Sequence, residues 1–115
     1  MKDREPLLRL LFWVALAFAY VAAIMPSAQA PSLSPSDKVN HMAAFFTLAV
    51  LAGIAWPRTG AWHIALRLAA FGALIEFTQM IPALNRDASF LDFVADVAAL
   101  VLGLLLVRLP RAIRG

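Results

Sequence analysis

Residues 90–107 read FLDFVADVAALVLGLLLV, running from Phe90 to Val107. Beyond two aspartates near its start, the run is continuously apolar. It is too long for an ordinary strand and close to the roughly 20 helical residues that cross a bilayer core. Its Ala and Leu are good helix formers. At 100° per residue, Asp92, Asp96, Ala99 and Gly103 fall within roughly a 60° arc, and the rest of the circumference is apolar. A helix in water would carry the opposite pattern, with one apolar stripe on a polar cylinder. Here a narrow polar and small-residue stripe faces neighbouring helices, and the broad apolar surface faces lipid.

Three further stretches have the same character: Leu7–Met25, Asn40–Trp56 and Ile64–Ile81. Proline, serine and charge collect between the spans, in Pro26–Asp37, Pro57–His63 and Pro82–Ser89. The reading is an all-α, four-transmembrane-helix bundle. It forms a single domain over residues 1–115, with helices at about 7–25, 35–56, 64–81 and 90–109. Composition agrees. Of 115 residues, 63% are apolar and 15% charged, against roughly 25% charged in soluble domains. Mean hydropathy is +0.80. This excludes disorder and leaves too little polar surface for a small soluble fold. The absence of cysteine excludes disulfides and thiolate metal sites.

Ala28-Gln29-Ala30 resembles a signal-peptide cleavage site. The preceding apolar run is longer than a usual signal core, Asp3 and Glu5 dilute the basic start, and Pro31 follows the cut. The first span is therefore expected to be retained. Orientation follows from Lys and Arg. One side carries Lys2, Arg4, Arg9, Arg58, Arg67, Arg108, Arg111 and Arg114, the other only Lys38 and Arg86. Both termini are thus expected in the cytoplasm of a bacterial cell, with the protein in the inner membrane. The basic residues are scattered without an aromatic platform, so nucleic acid is not an expected partner.

Once orientation is set, the unusual residues fall at one depth. Asp37, Lys38 and His41 start the second span, Glu76 and Gln79 close the third, Arg86 and Ser89 follow, and Asp92 and Asp96 start the fourth. Glu76 and Asp96 lie about 7–10 Å inside their span ends. Ionisable groups at that depth are costly unless they face protein or water. On the third span, Ala65, Ala69, Gly72, Glu76 and Gln79 share roughly an 80° arc. On the second, Asp37, His41, Ala44, Leu48 and Ala55 share roughly 60°. These faces point the cluster into the bundle. Plainer roles stay open. Ser34 with Asp37, and Ser89 with Asp92, fit capping boxes, His41 can sit at headgroup level, and Arg86 can be a loop cation. Glu76 and Asp96 can bridge helices. Trp13, Trp56 and Trp62 read as interface anchors or packing residues.

The pattern Asp37-Lys38-x-x-His41, Glu76-x-x-Gln79, Arg86-x-x-Ser89-x-x-Asp92-x-x-x-Asp96 and Gly103 resembles the VanZ-like family of small membrane proteins, over about residues 35–103. Family members commonly carry Gly three residues after the position of Asp96, where this chain has Ala99. The resemblance implies an integral membrane protein of the cell envelope, in a family associated with resistance to the glycopeptide teicoplanin. It implies no established reaction.

The expected function is an outward-facing polar pocket that binds a lipid headgroup or cell-envelope precursor. Asp37, Lys38, His41, Glu76, Gln79, Arg86, Ser89, Asp92 and Asp96 would form it, with Lys38 and Arg86 as phosphate contacts. Arg86 is expected to turn inward to the carboxylates. The first alternative is an intramembrane acid/base enzyme, or a metal-dependent one using His41, Glu76, Asp92 and Asp96, acting on envelope lipids. A proton-coupled transporter comes after it, since the other halves of the spans are nearly devoid of polar residues. No H-E-x-x-H, nucleophile elbow or phosphate-binding glycine loop is present. No cofactor or metal is therefore expected, and the enzyme reading stays secondary. The bilayer is the expected partner, and an oligomer is compatible with the sequence.

Overall fold

The computed structural model describes residues 2–25, 37–81 and 90–114. A single 3₁₀ turn, Lys2–Arg4, leads into four α-helices: α1 (Glu5–Ile24), α2 (Asp37–Ala55), α3 (Ala61–Gln79) and α4 (Phe90–Arg114). No strand occurs among the described residues. Pro6 lies in the first turn of α1, where its missing N–H costs nothing. Helix α3 starts at Ala61, three residues before the expected Ile64, on Gly60 as N-cap. Helix α4 continues through Pro110 to Arg114, beyond the expected end near 109.

Three helices are long and apolar enough to cross a membrane: Glu5–Ile24, Ala61–Gln79 and Phe90–Leu109. The fourth apolar stretch, Val39–Ala55, is shorter. Asp37, Lys38, Asn40 and His41 crowd the start of α2 and shorten its apolar part. The outward surfaces fit lipid. Leu10, Val14 and Phe18 on α1, Leu74 and Phe77 on α3, and Leu102 and Leu106 on α4 are all exposed. This much outward apolar surface suits an apolar surrounding such as a bilayer.

Successive helices run antiparallel, so α1 parallels α3 and α2 parallels α4. Helix α2 packs most extensively on α4, and α1 on α2. Gly103 explains the closeness of α2 and α4. A Cβ at Gly103 would lie 2.8 Å from the Phe46 carbonyl oxygen and 2.9 Å from the Ala49 Cβ. Only hydrogen at this position lets the two backbones approach so closely. Farther along, the position of a Gly53 Cβ faces the Val107 side chain at 3.1 Å. The core between these contacts holds Phe45, Leu48, Ala49, Ala52, Ala99, Leu100 and Leu104.

Candidate functional site

The close α2–α4 pairing sets the site, because the parallel register brings the start of α2 level with the start of α4. His41 lies in the second turn of α2, Asp92 in the first turn of α4, and Glu76 in the last turn of α3. One donor atom from each of these three side chains lies within 4.8 Å of the other two. Helix α3 reaches the pair across Gly72, where a Cβ would touch the Phe45 ring at 3.4 Å and Phe93 at 3.6 Å. His41 is buried, while Glu76 and Asp92 are half-buried.

One turn after Asp92, Asp96 is 0% exposed. Neither of its carboxyl oxygens has a hydrogen-bond partner among the described residues. Its Oδ1 lies 3.9 Å from His41 Nδ1, beyond hydrogen-bond range. A buried carboxyl group without such a partner is expensive. Helix packing alone provides no reason to retain it. The four side chains come from three helices, and interhelical convergence of this kind builds ligand and metal sites in helix bundles. One imidazole and three carboxyl groups can accept or donate protons, hold a cation, or hydrogen-bond a polar ligand.

The structure brings together four of the nine expected site residues: His41, Glu76, Asp92 and Asp96. Gln79 turns to a different neighbour. Its Nε2 donates to the Ala23 carbonyl of α1 at 2.9 Å, so it ties α3 to α1. Tyr20 and Thr78 strengthen the same seam with a hydroxyl–hydroxyl hydrogen bond of 3.0 Å. Asp37 and Lys38 belong to the first turn of α2 by backbone, and their side chains lie outside the described residues. Arg86 and Ser89 lie outside them altogether, as does Ser34, and with them the capping boxes and the inward turn expected of Arg86.

The opposite end holds a polar network that sequence reading did not anticipate. Glu5, expected only as a charge diluting the basic start, is buried to 5% exposure. Arg58 grips its carboxylate with bonds of 2.8 and 3.3 Å, and Arg9 reaches it at 3.3 Å. The hydrogen bond to Glu5, then its negative charge, raises the Arg58 pKa. Arg9 also donates to the Ala55 carbonyl at 3.0 Å and stacks over Trp56 at 5.4 Å. Arg108 donates to the carbonyls of Gly53, Trp56 and Thr59 at 3.2, 2.9 and 2.8 Å. Arg9 and Arg108 thereby satisfy carbonyls that the end of α2 leaves open and complement its negative dipole end. Trp13 and Trp56 pack edge-on with Phe12 there, while Trp62 is exposed. The available signal was the i, i+4 pair Glu5–Arg9. The partners on α4 and in the 57–60 turn depend on tertiary pairing.

Fold and site together define a class: a four-helix bundle of membrane character with a histidine–carboxylate cluster at one end and an arginine-capped seam at the other. Comparisons with family models, with curated proteins and with solved structures find no match to this chain.

Proposed function

We propose that this protein is a VanZ-like integral membrane protein of the bacterial inner membrane. Its histidine–carboxylate end faces outward and binds the polar headgroup of a lipid or cell-envelope precursor. One observation carries the reading: His41, Glu76 and Asp92 converge from three helices within 4.8 Å, in front of the fully buried Asp96. The spacing of the blocks around Asp37, Glu76 and Asp92 supports the family reading. The concentration of Arg4, Arg9, Arg58 and Arg108 at the other end supports cytoplasmic termini. The resistance role associated with the family would be one outlet of such binding. Binding ranks ahead of conduction because the described core beyond Asp96 is packed with Leu48, Ala52, Leu100 and Leu104. That apolar segment offers no relay for protons.

Native mass spectrometry of the detergent-purified chain tests the ligand. A phosphate-bearing lipid or precursor should remain bound, and the variant Glu76→Leu with Asp92→Asn should lose it. Equal retention by that variant would remove the cluster from the site. Orientation is tested separately with single cysteines, since the chain has none of its own. Thr59→Cys should resist an impermeant thiol reagent in intact cells, and Met80→Cys should react. The reverse pattern would turn the cluster to the cytoplasm.

A further inference from the structure

The cluster has a property that headgroup binding by itself leaves unexplained. Three carboxyl groups, Glu76, Asp92 and Asp96, surround one imidazole. The donor set matches one class of ligand. One nitrogen and two carboxylate oxygens, presented from three helices, suit a borderline first-row divalent ion, bound at about 2.0–2.2 Å from each donor. Soft ions prefer sulfur, and this chain has no cysteine.

An independent observation points the same way. Asp96 is fully buried, neither oxygen has a hydrogen-bond partner among the described residues, and Oδ1 lies 3.9 Å from His41 Nδ1. Metal-bound histidines commonly give their other ring N–H to a carboxylate, which fixes the tautomer and ring direction. Asp96 stands where that carboxylate would stand.

We infer that His41, Glu76 and Asp92 bind one divalent transition-metal ion of the Zn²⁺ or Mn²⁺ class, with Asp96 as the positioning residue behind His41. The inference rests on the reading of this end as a ligand site.

The test uses the full chain in detergent micelles, stripped with a chelator and titrated calorimetrically with Zn²⁺ alone and with Mn²⁺ alone. One site per chain is expected. Asp92→Asn and His41→Gln should each weaken it by more than about tenfold, and Asp96→Asn by about 10–100-fold, with the stoichiometry kept. His63→Gln, at the exposed start of α3, is the control and should change nothing. Loss of fold in a variant is separated by comparing melting in chelator, where variant and wild type should be alike. Zn²⁺ should raise the melting temperature of the wild type and of His63→Gln alike, and that of the cluster variants less. A stripped wild type that binds neither ion, or binding unchanged in both Asp92→Asn and His41→Gln, overturns the inference. Its failure is distinct from failure of the headgroup reading. Lipid retained in chelator without any ion binding leaves the headgroup reading standing and sinks the metal. Ion binding without a retained phosphate compound does the reverse.

Discussion

Glu5 and Asp96 are both carboxylates buried in the same bundle, one near each end. Glu5 has Arg58 at 2.8 Å and Arg9 at 3.3 Å. Asp96 is more deeply buried, and among the described residues it has only His41 at 3.9 Å, with no hydrogen bond to either oxygen. Around Glu5, guanidinium groups also cover the open carbonyls of α2. Polar groups that serve folding tend to be satisfied within the fold. Polar groups kept for a ligand are left to be completed by it, at a cost to stability. By this criterion we read the arginine end as structural and propose the histidine–carboxylate end as the functional one.

The comparison depends on α2 and α4 being held in one register, so the largest effect should come from their crossing. Gly103→Leu places carbon where the Phe46 carbonyl and Ala49 already stand. It should cost about 3 kcal/mol or more, the upper part of the range for overpacking. Unfolding by a denaturing detergent, followed by circular dichroism, measures it. Both ends should loosen together, because both are built across this pair. A variant as stable as wild type would mean that the helices slide freely, and the contrast between the ends would lose its structural basis.

The next effect belongs to the arginine end. Arg108→Met keeps an apolar stem but strips three carbonyls of their donor. Water reaches part of this region, so the expected loss is about 1–3 kcal/mol. It is read from the same detergent titration. A loss near zero would show that water replaces the guanidinium fully, and the arginine end would no longer count as structural.

These two predictions also mark what could be read from sequence. The four helices were legible, because apolar runs of this length have few other fates. The convergence of His41, Glu76, Asp92 and Asp96 was legible as well, since small residues such as Gly72 and Gly103 continue the polar stripes and reveal which faces meet. The partner of Gln79 was not. Its position on α3 lies between the directions of the cluster and of α1, and only packing decides between them. Glu5 and Arg108 were missed for a related reason. A basic residue near a span end reads as a headgroup contact, and nothing local shows that Arg108 will reach three carbonyls about 50 positions earlier in the chain.

The third prediction has the opposite sign. Asp96→Asn keeps shape and removes a buried acid with no hydrogen-bond partner among the described residues. In chelator, its stability should match wild type or exceed it by up to about 1 kcal/mol, as for other polar residues kept at a cost to the fold. Melting followed by intrinsic fluorescence suffices to show it. A loss comparable to that of Arg108→Met would make Asp96 a structural residue, and the distinction between the two ends would collapse.

The smallest effect should come from Arg58, and it grades the arginine end internally. Its guanidinium makes the shortest bond to Glu5, 2.8 Å, yet its side chain is 62% exposed. Distance alone would rank it above Arg9, whose contact is 3.3 Å. Exposure argues the other way, because solvent screens the attraction and an exposed side chain gives up conformational freedom to hold one geometry. When Arg58 is removed, Glu5 still has Arg9. Arg58→Ala should therefore lower stability only slightly, far less than Arg108→Met, and the difference should fade when salt rises from roughly 0.1 to 1 M. The pH behaviour follows from the raised Arg58 pKa. A cationic group with a raised value stabilises the fold below its unfolded value and loses that contribution only as pH climbs through the folded one. For arginine this lies above the range in which the protein is handled, so the small penalty should stay constant from neutral to moderately alkaline pH. Detergent unfolding of wild type and variant at two salt concentrations and two pH values measures all of this. A penalty equal to that of Arg108→Met, or one indifferent to salt, would mean that the Glu5–Arg58 pair acts as a buried pair. The arginine end would then owe its stability to charge more than to the capping of α2.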